Sequence, residues 1–329
     1  MKRMLSGIKP TGKLTLGNYI GAIKQFVNYQ EDYEMYIFIA NLHAITVMQD
    51  PKELKQNTKD LIALYLACGL DPSKVTIFLQ SDVHEHAQLG WILTCHSYMG
   101  ELSRMTQYKD KSSKNEANIT AGLFTYPSLM AADILLYDAD YVPVGVDQKQ
   151  HVELTRTLAE RFNNRYGDTF TVCEPLVNKV GAKIMSLQNP TKKMSKSAED
   201  EKGCICLLDD PNSARKKIMS AVTDSLANVA FDPINQPGIS NLLNILSSIT
   251  SEPVDSIVAR YAGIGYGDFK KEVATAVFDL LNDLQSKYRT IIDNNIIEQV
   301  LNEGKSKASI IAQRKLAKVQ KKIGFQLFK

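Results

Sequence analysis

One short, unbroken apolar run, Tyr36-Ile37-Phe38-Ile39-Ala40, with a second buried-strand pattern at Val75 to Leu79, constrains this chain more than any other feature. A strand with one wet face alternates polar and apolar residues. An unbroken run needs cover on both faces, the environment of a parallel sheet between layers of helices. The neighbouring segments supply those helices. Arg3 to Ser6 reads as a short first strand with a loop over Gly7 to Leu16, and Gly17 to Tyr29 carries Ile20, Ile23, Phe26 and Val27 at helical spacing. Asp50-Pro51 opens another helix and Gly69 stops it. Tyr126 to Tyr137 reads as a helix, Tyr141 to Val144 as a strand ending at Gly145, and Asp147 to Tyr166 as the helix after it. Strands separated by helices predict an α/β fold, a doubly wound parallel sheet with ligands at the carboxyl ends of its strands.

After about Gly203 the pattern changes. Ser213 to Val222, Ile239 to Ile249, Val254 to Tyr261 and Phe269 to Ile292 are helically periodic, with no convincing strand, and predict an all-helical second domain. With 329 residues and 44% apolar content, the chain can build a core in each of two domains. From Gly304 to Lys329 there are eight Lys or Arg and no Asp or Glu; a solvated helix face and a polyanion contact fit that charge equally well. The net charge of +3 is too small to argue nucleic-acid binding by itself. Five cysteines, an odd number, argue for a reducing compartment, and Cys204 and Cys206 lack a second ligand pair at metal-site spacing. Met1 to Lys13 has no apolar signal core and the run Leu61 to Leu70 is too short to span a bilayer, so a soluble, cytoplasmic protein is expected.

Two polar motifs carry the chemistry. Thr15-Leu16-Gly17-Asn18 opens the first helix, where a glycine lets a nucleotide approach backbone and the helix N-terminus favours anions. Lys193-Met194-Ser195-Lys196-Ser197 is a doubly cationic loop at the junction of the two domains, suited to neutralising a developing polyphosphate charge. In this order they point to ATP-dependent activation of a carboxylate. A rival reading exists: Gly7-Ile8-Lys9-Pro10-Thr11-Gly12-Lys13 matches the first seven P-loop positions. However, Leu14 stands where the magnesium-binding hydroxyl belongs, and Pro10 lacks an N–H that the cradle would use. Gly263-Ile264-Gly265-Tyr266-Gly267 reads as a helix-capping turn. His84-Glu85-His86 has metal-ligand types, but i, i+2 spacing on a helix points the histidines apart, so a surface helix start is expected.

Read together, these stretches resemble the bacterial-type tryptophanyl-tRNA synthetases of class I. Gly7 through Asn18 is similar to that family's form of the class I HIGH signature. His43-Ala44-Ile45-Thr46, Met130 to Leu135, Pro143 to Gln148, Lys193 to Ser197, Ala221 to Ser225 and Pro237 to Asn241 match in order. The resemblance implies that tryptophan's carboxylate attacks the α-phosphate of ATP, and that the aminoacyl group then passes to tRNA(Trp). It implies a Rossmann-like catalytic domain over 1–203 with the ATP and tryptophan sites, a helical anticodon-binding domain over 204–294, and a basic C-terminal helix over 295–329 that packs back toward the catalytic domain.

By the same resemblance Lys193 and Lys196, with Met194, Ser195 and Ser197, hold the pyrophosphate together with Mg²⁺, which is bound mainly through the phosphates. Lys111 approaches a phosphate. Lys9, Pro10, Thr11, Gly17 and Asn18 take the nucleotide end, Gly145, Val146 and Asp147 the ribose, and Ile184 the adenine. Tyr126 and Gln148 receive the substrate ammonium, and His43, Met130, Val142 and Val144 wall the indole. The indole nitrogen only donates, so a selective pocket needs an acceptor; the resemblance makes it Asp133. No zinc, iron–sulfur or other protein-held metal is implied, and a homodimer is. The chain departs from the family pattern at Lys9, commonly Gln, at Leu5, commonly aromatic, and at Asn41, commonly Asp.

Overall fold

The computed structural model describes residues 1–112, 119–145, 148–177, 183–195 and 201–326. Among these, β1 (Arg3–Ile8), β2 (Glu34–Ile39), β3 (Val75–Leu79), β4 (Tyr141–Val144) and β5 (Glu174–Val177) form one sheet. The order is β3-β2-β1-β4-β5 and every neighbouring pair is parallel. The central runs are buried on both sides as their composition requires. Met35, Ile37, Ile39, Val75 and Ile77 face one apolar cluster, and Tyr36, Phe38 and Phe78 face another. Gly7 is the exception within β1, because a β-carbon there would lie 2.2 Å from the ring of Phe38, its register partner.

The connecting helices are α1 (Leu16–Asn18), α2 (Lys24–Tyr29), α3 (Asn41–Ala44), α4 (Pro51–Ala67), α5 (Glu85–Thr94), α6 (Met99–Leu102), α7 (Thr106–Ser112), α8 (Ala121–Leu135) and α9 (Lys149–Tyr166). A π-helical stretch, Tyr19–Ile23, joins α1 to α2, a departure that the 3.6-residue periodicity of the sequence conceals. The helix α4 begins with Asp50 accepting from Lys52 and Glu53 N–H, with Pro51 in its first turn. The helix α8 starts at Ala121, earlier than its apolar pattern indicates, because Thr120 caps it and Pro127 sits inside it.

Beyond residue 203 the described elements are helices α10 (Pro211–Met219), α11 (Pro237–Thr250), α12 (Val254–Arg260), α13 (Tyr266–Asp293) and α14 (Ile296–Lys322). Gly265 forms the N-cap of α13 and Gly263 has φ +77°, so the glycine-rich stretch is a turn between helices. The last helix lies against the edge strand β3. A β-carbon on Gly304 would fall 1.8 Å from the carbonyl oxygen of Ile77, so this approach requires glycine. Along the same helix Ala308, Ala312, Leu316 and Val319 enter the core, and Lys315 is buried against Asp138 (2.5 Å) and the Thr169 carbonyl (2.8 Å). An exposed sheet edge is thereby covered.

Candidate active site

Strand order reverses between β1 and β4, and in open α/β sheets ligands bind outside the carboxyl ends of strands at such a point. A cavity of about 470 Å³ lies there. It is lined by Leu5 to Lys9 from β1 and the residue after it, by Val142 to Gly145 from β4 and its end, and by Phe38, Ala40, His43, Tyr126, Met130, Asp133 and Gln148 among others. Tyr126, Met130 and Asp133 share one face of α8 at i, i+4 and i+7 spacing.

Asp133 is fully buried and is the best-connected polar group in the cavity wall. Its Oδ1 accepts from Gln80 Nε2 (2.7 Å) and His86 Nδ1 (2.7 Å), and its Oδ2 from His43 Nε2 (2.7 Å). The carboxyl ends of β2 and β3 deliver these donors, His43 in α3 and Gln80 in the turn Gln80–Asp82, while His86 comes from the first turn of α5. Gln80 is itself aligned, because its Oε1 accepts the Leu42 N–H (3.1 Å) and turns its NH₂ toward Asp133. Asn41 ties the two strand ends by donating to Ser81 Oγ (2.7 Å) and accepting from Ser81 N–H (3.0 Å). Burial alone would push the Asp133 carboxyl up; the charges and hydrogen bonds of His43 and His86 outweigh it and hold the pKa at about 2. An ionised carboxylate offers about four acceptor positions. Among the described residues three are filled, two on Oδ1 and one on Oδ2, the oxygen on the His43 side.

Tyr126 is fixed on three sides. Its hydroxyl lies 2.7 Å from His151 Nε2, its ring meets the His43 ring edge-on at 6.1 Å, and Lys9 Nζ sits 5.5 Å from the ring centroid. Burial pushes its phenol up to about 12, so the hydroxyl keeps its proton at neutral pH.

The second cluster forms around α1. Thr15 and Asn18 make a capping box: the Thr15 hydroxyl accepts from Asn18 N–H (3.2 Å), and Asn18 Oδ1 accepts from Thr15 N–H (2.9 Å). Gly17 lies in the angle of this turn, where a β-carbon would be 3.6 Å from both Ile184 Cβ and Met194 Cβ. The Thr15 turn, Ile184 and the lysine-serine loop are therefore neighbours in space. A tight antiparallel pairing, Met185 with Lys193 and the Met194 N–H on the Ile184 carbonyl (2.9 Å), presents Lys193 and Ser195 to solvent and buries Met194. Asn241 of α11 clamps Met185 by both of its backbone groups, at 2.8 and 2.9 Å, and so connects the loop to the helical part.

The cavity wall thus gathers Lys9, His43, Tyr126, Met130, Asp133, Val142, Val144, Gly145 and Gln148, whereas Gly17, Asn18, Ile184, Met194 and Lys193 form the second cluster. Pro10 is buried and Thr11 exposed in the loop after β1, outside the cavity lining. Val146, Asp147, Lys196, Ser197 and the side chain of Lys111 lie outside the described residues. Two expectations are corrected. The first strand was expected to end at Ser6 with a loop from Gly7, but Gly7 and Ile8 belong to β1 and pair with Phe38 and Ile39, so the rival P-loop stretch begins inside the sheet. His86 is not part of a surface helix start: it is fully buried on Asp133, while His84 is exposed as the i, i+2 geometry requires. Gln80 was also missed, since one polar residue at a strand end gives no periodic signal.

The chain belongs to the class I tRNA synthetases (W and Y), the family that matches residues 1–282. A tryptophan--tRNA ligase of Oceanobacillus iheyensis is 57% identical over 324 residues, covering 98% of this chain and 99% of its own length. Among solved structures, the tryptophanyl-tRNA synthetase of Mycoplasma pneumoniae superposes with a TM-score of 0.87 at 41% identity, over 98% of each chain. That of Campylobacter jejuni, complexed with ADP and tryptophan, gives 0.85 at 40% identity, over 98% of this chain and 99% of its own.

Proposed function

We infer that the chain is a tryptophan–tRNA ligase: it activates L-tryptophan with ATP to tryptophanyl-AMP and pyrophosphate, then transfers tryptophan to tRNA(Trp). The observation that carries this is a buried carboxylate, Asp133, with three donors among the described residues and room for a fourth, in a cavity walled by His43, Met130, Val142 and Val144. Indole offers one donor on a large apolar ring, the complement of that wall. Tyr126 and Gln148 take the ammonium group at the opposite end of the substrate.

Activation needs little covalent help from the protein. It needs alignment of the carboxylate with the α-phosphorus, and stabilisation of charge that grows on the leaving pyrophosphate. Gly17 and Asn18 receive the nucleotide at the helix start, Gly145 to Asp147 the ribose and Ile184 the adenine. Lys193 and Lys196, with Lys111 approaching, neutralise the phosphates. The described side chains here are cationic or neutral, so they suit a Mg²⁺ held by phosphate oxygens rather than by protein carboxylates.

The helical part over 204–294 serves the anticodon and α14 the RNA backbone. Trp91, Tyr98 and Met99 are large, exposed apolar side chains, which suits the homodimer. No helix among the described residues is long and apolar enough to cross a membrane. ATP–pyrophosphate exchange tests the reading. Exchange is expected with tryptophan and not with tyrosine or without amino acid; exchange indifferent to tryptophan overturns it.

A further inference from the structure

The contacts of Asp133 divide by side. The partner of Oδ2, His43, lines the cavity; the partners of Oδ1, Gln80 and His86, lie behind it, outside the lining. At the rear oxygen the chemistry of the carboxylate fixes which group donates. An ionised carboxylate only accepts, so His86 Nδ1 carries the hydrogen of this contact. The group at Nε2 is the Tyr137 hydroxyl, 2.8 Å away, so both ring nitrogens are engaged. Burial pushes that phenol well above its ordinary range, so it keeps its proton. The ring is thus held between Tyr137 and Asp133.

The surroundings hold this chain in place. Tyr137 and His86 are fully buried. The His86 ring centroid lies 5.7 Å from Phe38, 5.9 Å from Phe78 and 5.4 Å from Tyr137, and Tyr137 stacks on Tyr36 at 5.4 Å. Aromatic rings offer no competing partner for either nitrogen, so the ring keeps these two contacts.

We propose that Gln80, His86 and Tyr137 are positioning residues for amino-acid selection: by saturating Oδ1 they leave Asp133 one acceptor site, on the cavity side of Oδ2. The proposal rests on the reading that Asp133 takes the indole N–H. A carboxylate free to rotate, or with acceptors open on both oxygens, would take water or a substrate hydroxyl as well. A carboxylate clamped from behind accepts one more donor in one direction. A ligand lacking that donor leaves the site desolvated and unpaired.

The test is the ratio of pyrophosphate-exchange kcat/KM for tryptophan to that for the analogue with sulfur in place of the ring N–H. Loss of stability or of active enzyme lowers both values together, so the ratio isolates selection. His86→Leu is expected to lower the ratio about tenfold, the usual weight of a lost hydrogen bond to a charged group. His86→Asn, whose amide nitrogen falls near the position of Nδ1, is expected to restore most of it. If His86→Leu does not fold, Tyr137→Phe carries the test, since it removes one oxygen and keeps the ring packing; it too is expected to lower the ratio. An unchanged ratio in the folded variant overturns the proposal. Asp133→Ala separates the two levels. If it collapses the ratio while the His86 or Tyr137 variant does not, the positioning role alone fails. If Asp133→Ala also leaves the ratio intact, the underlying assignment of the indole acceptor fails.

Discussion

Gly17→Ala separates folding from function. The added β-carbon would meet Thr15 Oγ1 at 3.5 Å and the β-carbons of Ile184 and Met194 at 3.6 Å, all ordinary van der Waals distances. No φ in the left-handed region demands glycine there. The free protein should therefore accept the methyl, and a helical alanine should gain about 0.5–1 kcal/mol over glycine. Nucleotide binding is another matter. The methyl occupies the gap between the Thr15 turn and the lysine-serine loop, where the nucleotide must reach backbone, and a displacement of about 1 Å at a reacting centre can cost about a hundredfold in rate. Urea unfolding should show equal or slightly higher stability. Single-turnover adenylate formation should fall by about two orders of magnitude. Wild-type rates in a variant of wild-type stability would refute the placement of the nucleotide against Gly17.

Gly304→Ala should do the reverse and weaken the fold: a β-carbon 1.8 Å from the Ile77 carbonyl forces α14 off β3, costing about 3 kcal/mol or more, and an unchanged urea midpoint would contradict this. Asp133, held at about 2 in the folded chain against an ordinary value of about 3.9, contributes stability above about pH 4 that is lost as pH falls toward about 2. Unfolding at pH 5 and pH 3 should show that loss in wild type and less of it in Asp133→Asn; equal losses would assign the acid sensitivity to other carboxylates, such as Glu101, held down by Arg161. Neutralising exposed Lys318, Lys321 and Lys322 should flatten the salt dependence of tRNA affinity by about two to three logarithmic units per decade without changing pyrophosphate exchange, and an unchanged slope would make α14 an ordinary solvated face.

The sheet was legible because β2 carries an unbroken apolar run and β3 a nearly apolar one, and a parallel sheet is the ordinary home for such runs. The cap of α4 was legible because Asp50-Pro51 states its chemistry locally. The π-helical stretch at Tyr19–Ile23 was not, since its side chains still alternate faces at close to helical spacing. The buried Lys315 was not, because charge counting assigns every lysine of the C-terminal helix to solvent, and only Asp138 and the Thr169 carbonyl show otherwise. At the site, motif matching led to Asp133 and His43. It did not lead to His86 and Gln80. They reach the carboxylate from β3's end and α5's start, and a contact made through the fold leaves no pattern along the chain.

The central claim is that this cavity selects tryptophan through one hydrogen bond from the indole to Asp133. It is tested most directly by comparing kcat/KM for tryptophan and its ring-sulfur analogue in pyrophosphate exchange, for wild type and Asp133→Ala. Removing the carboxylate strands the donors of His43, Gln80 and His86, so a loss of stability is expected too. Both substrates are read on the same preparation, so the ratio is independent of how much enzyme is folded. The account predicts a strong wild-type preference for tryptophan that largely disappears in the variant; full retention of that preference would contradict it.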